Sequence, residues 1–244
     1  MTKRLIRLFG GHRNSVYKTN SFVKVIWKDG FKRKQQIREG VLTENFVASH
    51  TDILSRMLVD KSKPVQAENG ELVTYFRYAE GEIRYPWNLD EIASAAKLLG
   101  RLHQAFPKVR PWHPPAGEAG MPRSDLNRQL HLDFARGNIL FHPKASTAIG
   151  VIDFETTSKG PVEQELGRTL SFILVDTPTP SSFGLRPSAF ASRRDALLTN
   201  YPLPFRKDKV INWTLRYLTG EDYGDLNFIR NQAVSWLRDS NLTM

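Results

Sequence analysis

The chain has 244 residues and no cysteine, which excludes disulfides, thiolate metal sites and cysteine nucleophiles. Hydrophobic residues make up 40% and charged ones 25%, the balance of a folded chain with a substantial core rather than a disordered one. The net charge of +10 favours anionic partners, no stretch is long and apolar enough for a transmembrane helix, and the basic opening lacks the apolar run of a signal peptide, so the expected location is the cytoplasm.

Residues 5–9 alternate loosely and predict a first strand; a second begins at Val16. Between them stand Gly10 and Gly11, then Asn14 and Ser15. Strand, glycine turn, strand can lay backbone amides over phosphates, because glycine permits close backbone approach. Residues 22–27 predict a strand with Lys24 inside an apolar run, where an ammonium is costly unless its charge is matched. Much of the basic excess lies in this early part. It suits a solvated face or a polyanionic nucleotide. With no nucleic-acid motif beside it, nucleic acid is not an expected partner.

Helical spacing runs from residue 31 to about 50, with Ile37, Val41, Leu42 and Phe46 as its apolar stripe. Glu39 and Glu44 are candidate inward carboxylates. Glu39 is favoured, because Leu42 and Phe46 follow it on the same side. Residues 53–59 and 71–78 predict two more strands, the second introduced by the Asn69 and Gly70 turn, for a sheet of about five strands. Near residue 80 the composition changes from β-rich to helical. A helix follows from about residue 89 to His103, with Asp90 as its expected N-cap, and residues 105–123 form a loop rich in Pro and Gly.

The chemistry gathers in residues 129–155, at His131, Asp133, Asn138 and Asp153. Residues 139–141 and 150–152 predict two short strands joined by a turn at residues 142–146, hence a hairpin. Asn138 then precedes the first strand and Asp153 follows the second, so both lie at one end, with Asp133 in reach from the preceding loop. Two oxygen ligands can hold a hard cation such as Mg²⁺, and a further carboxylate can orient a hydroxyl and accept its proton. That set of groups suits phosphoryl transfer. Residues 156–161 are expected as a loop. Residues 162–168 are expected to open a helix, and further helices are expected around residues 170–175, 189–200, 209–218 and 226–237.

The stretch from His131 to Asp153 resembles the catalytic and metal loops of the aminoglycoside phosphotransferase and choline kinase family, relatives of the protein kinases. The shared pattern is His-x-Asp, four residues, Asn, an apolar strand and then Ile152, Asp153 and Phe154. Gly10, Gly11, Asn14 and Tyr17 resemble the family's opening, and Leu99, Leu102 and His103 its helix end. The resemblance implies an α+β, two-lobed protein-kinase-like fold. Residues 1–79 would form a small nucleotide-binding lobe and residues 80–244 a mainly helical catalytic lobe. It implies ATP and Mg²⁺ as cofactors and a small-molecule hydroxyl as acceptor.

Residue by residue, it implies Asp133 as base and His131 as a brace of the catalytic loop. Asn138 and Asp153 would be metal ligands, Lys24 paired with Glu39 would hold phosphates, Gly10 and Gly11 would cover them, and Tyr78 and Ala79 would form the hinge. Glu165 stands where an acidic residue bonds back to the catalytic loop. The chain departs from the family at Leu132, where glycine is usual, and at Ala135, where a second histidine is usual. Arg136 is the candidate to balance charge on the moving phosphoryl group. The altered loop keeps a second reading open, a kinase-shaped nucleotide-binding protein with weak or no turnover.

Overall fold

The computed structural model describes residues 6–8, 14–19, 22–106, 127–135, 137–175, 187–220 and 227–241. β1 (Ile6–Leu8), β2 (Ser15–Lys18), β3 (Val23–Trp27), β5 (Glu71–Phe76) and β4 (Gln66–Glu68) form an antiparallel sheet in the order β1-β2-β3-β5-β4. Alternation in β3 buries Val23, Val25 and Trp27, which pack with Ile37 and Val41 of α1 (Lys34–His50). The sheet has five strands, the expected number, but residues 53–59 are not one of them, and β4 takes their place. That segment is a strap between the sheet and the hairpin below. Leu54 N donates to Ile149 O and Val151 N to Leu54 O, each at 2.9 Å, while Val59 N donates to Tyr75 O at 3.0 Å and Arg77 N to Met57 O at 2.7 Å. Gly150 permits this approach, since a Cβ there would strike the Leu54 carbonyl.

α1 buries half of its expected stripe, Ile37 and Val41, but turns the other half outward. Ile37, Gly40, Val41, Glu44 and Val47 are buried, whereas Leu42 is 41% and Phe46 37% exposed. The inward positions recur at three and four residues from Ile37. Reading Leu42 and Phe46 as inward rotates the helix by about one residue, some 100°. Gly40 lies against the carbonyl of Phe154, where any side chain would collide.

The larger core cluster is built on α2 (Leu89–Ala105), α3 (Val162–Val175), α4 (Pro187–Asn200), α5 (Lys207–Gly220) and α6 (Asn227–Asn241). α2 is capped by Asn88 rather than Asp90. Asn88 Oδ1 accepts from Glu91 N, and Glu91 Oε2 accepts from Asn88 N, both at 2.9 Å. β7 (Ile139–Phe141) and β8 (Ala148–Val151) form the expected hairpin, its second strand beginning two residues and ending one residue earlier than expected. The segment expected as a loop before α3 contains β9 (Ser158–Pro161), which pairs with β6 (Asn127–Leu130). Among the described residues no helix is long and apolar enough to cross a membrane.

Candidate active site

The hairpin and the loop before it carry the site. Ile139 pairs with Val151, so the two strand ends meet, and Ile152 N donates to Asn138 O at 2.9 Å. Asp153 follows directly. From the preceding loop comes Asp133: Asn138 Nδ2 donates to Asp133 Oδ2 at 2.8 Å and to the Asp133 carbonyl at 2.9 Å. With its nitrogen so used, Asn138 keeps Oδ1 as its acceptor.

Asp153 is the member with least satisfaction. Its backbone is left-handed, with φ at 67°, and its Oδ1 is closed off from solvent with no hydrogen-bond partner. Burial pushes its carboxyl up and the Arg56 guanidinium pulls it back. The carboxylates of Glu155, Glu44 and Asp133 push it up again, to about 7. Such a carboxyl lacks positive charge. A hard divalent cation would supply it, and Asp153 with Asn138 Oδ1 has the donor chemistry for one, the remaining places being left to phosphates and water. Among the described residues no group of three His, Asp or Glu side chains forms a closed metal cage. One carboxylate and one carboxamide oxygen are a set for an ion shared with a ligand.

The Asp133 loop is anchored from behind by Glu165, fully buried on α3. Its oxygens accept from His131 N at 3.0 Å, Leu132 N at 2.8 Å and His103 Nε2 at 2.7 Å. Burial alone would raise this carboxyl, but the His103 bond, the imidazoles of His103 and His131 and the His131 amide bring it below its ordinary value. His103 Nδ1 lies 2.6 Å from the Tyr201 hydroxyl. Burial, and then Glu165, push that hydroxyl's pKa well up, so it stays a proton donor. His131 Nδ1 accepts from Asp133 N at 3.2 Å, which assigns the ring proton to Nε2, and Nε2 donates to Ile152 O at 2.9 Å. His131 therefore joins the loop to the hairpin. Leu132 has φ at 59°, a conformation costing roughly 1–2 kcal/mol for an L-residue. The Glu165 bond to its amide holds it there.

The small lobe departs from expectation. Lys24 lies on the face of β3 away from α1. There Lys24 Nζ and the Tyr75 hydroxyl both donate to Glu68 Oε2 at 2.8 Å. Glu39 is exposed and accepts from Gln35 Nε2 at 3.1 Å. Lys24 and Glu39 therefore do not form the expected pair. A strand has period two, so an offset of one residue sends a side chain to the other face, and the position facing α1 is Val25.

Arg56 and Glu44 make the pair that does form beside the hairpin. Arg56 Nε donates to Glu44 Oε1 at 2.6 Å and Nη2 to Oε2 at 2.9 Å, and the same Oε2 accepts from Asp153 N at 3.2 Å. The guanidinium lies over the Phe76 ring, 4.4 Å from its centroid. Glu44 was legible as the alternative to Glu39. Arg56 carried no motif, because it sits on the strap that resembled a strand.

Glu155 links the site to the sheet edge, accepting from Asn14 Nδ2 at 3.1 Å and Arg33 Nη2 at 2.8 Å. Tyr78 and Ala79 follow β5. Lys18 Nζ sits over the Tyr78 ring at 3.4 Å, and neither residue makes a bond to another backbone group among the described residues. Gly10, Gly11 and Arg136 lie outside the described residues.

Residues 118–191, which include the Asp133 loop, Asp153 and Glu165, match the model of a family described as phosphotransferase enzymes. A comparison with curated protein sequences finds no match. Solved structures do match. An amicoumacin kinase solved with AMP-PNP and Ca²⁺ is 14% identical, with 98% of this chain and 89% of that one covered at a TM-score of 0.71. An aminoglycoside phosphotransferase from Streptomyces rimosus is 13% identical, with 86% and 90% covered at 0.60. A choline kinase from Streptococcus pneumoniae is 14% identical, with 97% and 93% covered at 0.58. The chain has the two-lobed α+β, protein-kinase-like fold that the aminoglycoside phosphotransferases and choline kinases share.

Proposed function

We propose that this chain moves the γ-phosphoryl group of ATP to a hydroxyl of a small molecule of aminoglycoside, choline, homoserine or sugar type, with Mg²⁺. The observation that carries this reading is Asp153, whose buried Oδ1 lacks a partner beside Asp133 and Asn138. The family match over this stretch supports it, as does the nucleotide analogue and divalent ion of the amicoumacin kinase structure.

Asp133 orients the acceptor hydroxyl and takes its proton as the oxygen attacks. The Asn138 amide fixes one carboxylate oxygen of Asp133, which leaves Oδ1 for the substrate. Asn138 Oδ1 and Asp153 hold the metal. When bound, Mg²⁺ offsets phosphate charge and orients the γ-phosphoryl group for in-line transfer. His131 keeps the loop and hairpin in register. Arg136, close to Asp133 in sequence, is assigned to charge balance on the moving group. Tyr78 and Ala79 offer backbone groups to the adenine. The protein acts from the cytoplasm.

One observation favours a second reading, nucleotide binding without turnover: Lys24 is engaged on the outer face. Labelled ATP incubated with a panel of hydroxylated metabolites separates the two. The expected result is a phosphorylated product that requires Mg²⁺ and is lost in Asp133→Asn. ATP binding with no product from any acceptor would favour the second reading.

A further inference from the structure

We infer that Arg56, braced by Glu44, is the cation of this chain that meets the phosphates of the nucleotide. The inference rests on the phosphotransferase reading above and names a residue for a task that Lys24 is not placed to perform. Lys24 is bonded to Glu68 across the outer face, and Val25, the β3 residue turned toward α1, is apolar and 2% exposed.

Arg56 is in position. Its Nη2 and the Asp153 amide share Glu44 Oε2, which puts them within about 6 Å of one another, two hydrogen bonds apart. The charge balance points the same way. Asp153, Asp133, Glu44 and Glu155 surround this spot, Arg33 answers Glu155, and Arg56 answers Glu44. A polyphosphate entering here needs a cation beyond any metal. The guanidinium has the spare donors: Glu44 takes the Nε and Nη2 edge, and Nη1 makes no bond among the described residues. A planar fork can hold a carboxylate on one edge and phosphate oxygens on the other, which an ammonium cannot do as a point charge. A buried ion pair also adds little net stability over apolar packing, so stability alone is a weak reason for one beside Asp153. The strap explains how a residue outside β3 reaches the site. Ser55 Oγ bonds to Val151 O at 2.7 Å, and Leu54 is paired to β8 on both sides.

The test is equilibrium binding of ATP and adenosine to the full chain by calorimetry, with and without Mg²⁺. Three variants are compared: Arg56→Lys, the charge-neutral pair Arg56→Gln with Glu44→Gln, and Lys24→Ala, each checked for folding by thermal unfolding. In the double variant ATP affinity is expected to fall at least about tenfold while adenosine affinity stays within about twofold, the pattern of a lost phosphate contact. Arg56→Lys keeps the charge and the link to Glu44, and should show a smaller fall confined to ATP. Lys24→Ala should bind both like the wild type. Equal losses for ATP and adenosine would reduce Arg56 to a structural brace and overturn the inference. So would unchanged ATP affinity in either folded Arg56 variant, or a loss that appears in Lys24→Ala instead. A wild type that binds no ATP overturns the phosphotransferase reading itself, and this assignment with it.

Discussion

Glu165 and Asp153 both have carboxylate oxygens shut off from solvent, yet their surroundings are opposite. Glu165 receives two backbone amides and an imidazole and titrates below its ordinary value. Asp153 has an oxygen with no partner and three acidic neighbours, and titrates near 7. The first is complete within the protein, and its burial stabilises the loop. The second costs free energy that a bound cation would return. This contrast separates scaffold from site more sharply than burial does.

The strongest way to break the comparison is to neutralise the two in turn. Asp153→Ala should lower kcat/KM by about three orders of magnitude or more, since positioning and charge stabilisation supply most of the catalysis. Near-normal turnover in the purified variant would rule out its role. Glu165→Ala should instead act through folding. It leaves amides of the catalytic loop and His103 without their acceptor, and should cost about 3–5 kcal/mol in denaturant unfolding. A loss under about 1 kcal/mol would mean that the loop is held by other means.

pH sharpens the contrast further. The folded pKa of Asp153 lies above its unfolded value, so the folded state binds the proton more tightly. Without divalent cation, its contribution should make stability fall as pH rises from about 4 to 7 and then level off. The folded pKa of Glu165 is depressed, so its contribution is present above the ordinary carboxylate value and is lost as pH falls through the folded one. Asp153→Asn should abolish the first slope, raise the melting temperature of the metal-free protein near pH 8, and blunt stabilisation by added Mg²⁺. If wild type and variant keep the same slope, another group is titrating. The smallest effect belongs to Glu39→Ala, an exposed change expected to stay within about 0.5 kcal/mol and leave ATP binding unaltered.

The convergence of the large-lobe half of the candidate site was legible because its residues are local. His131, Asp133, Asn138 and Asp153 sit on one loop and one hairpin, so sequence spacing and strand pairing dictate which ends meet. Glu165 was legible through the family pattern. The small-lobe half depends on rotation and on long-range packing. Which side of β3 faces α1 turns on a single residue of register, and which side of α1 faces the core on about 100°. Lys24 and Glu39 were misplaced for those reasons. Arg56 was invisible for another: its partner Glu44 is local, but the strap that carries it is defined by pairing to β5 and β8, far away in sequence. β9 escaped notice likewise, because its partner β6 lies on the far side of the Asp133 loop in sequence.

The strap also has a mechanical consequence. Its four backbone hydrogen bonds, two to the hairpin and two along β5, rivet the inner half of the sheet to the base of the cleft. Prying that half away would break all four, at about 1 kcal/mol each. The β1–β2 ribbon is an outer edge, joined to the rest of the sheet through β3 and moored to Glu155 by Asn14. Arg56 rides on this strap, so its guanidinium is tied by the same four bonds to both the hairpin and the sheet, and its distance from Asp153 is set by backbone pairing rather than by side-chain packing alone.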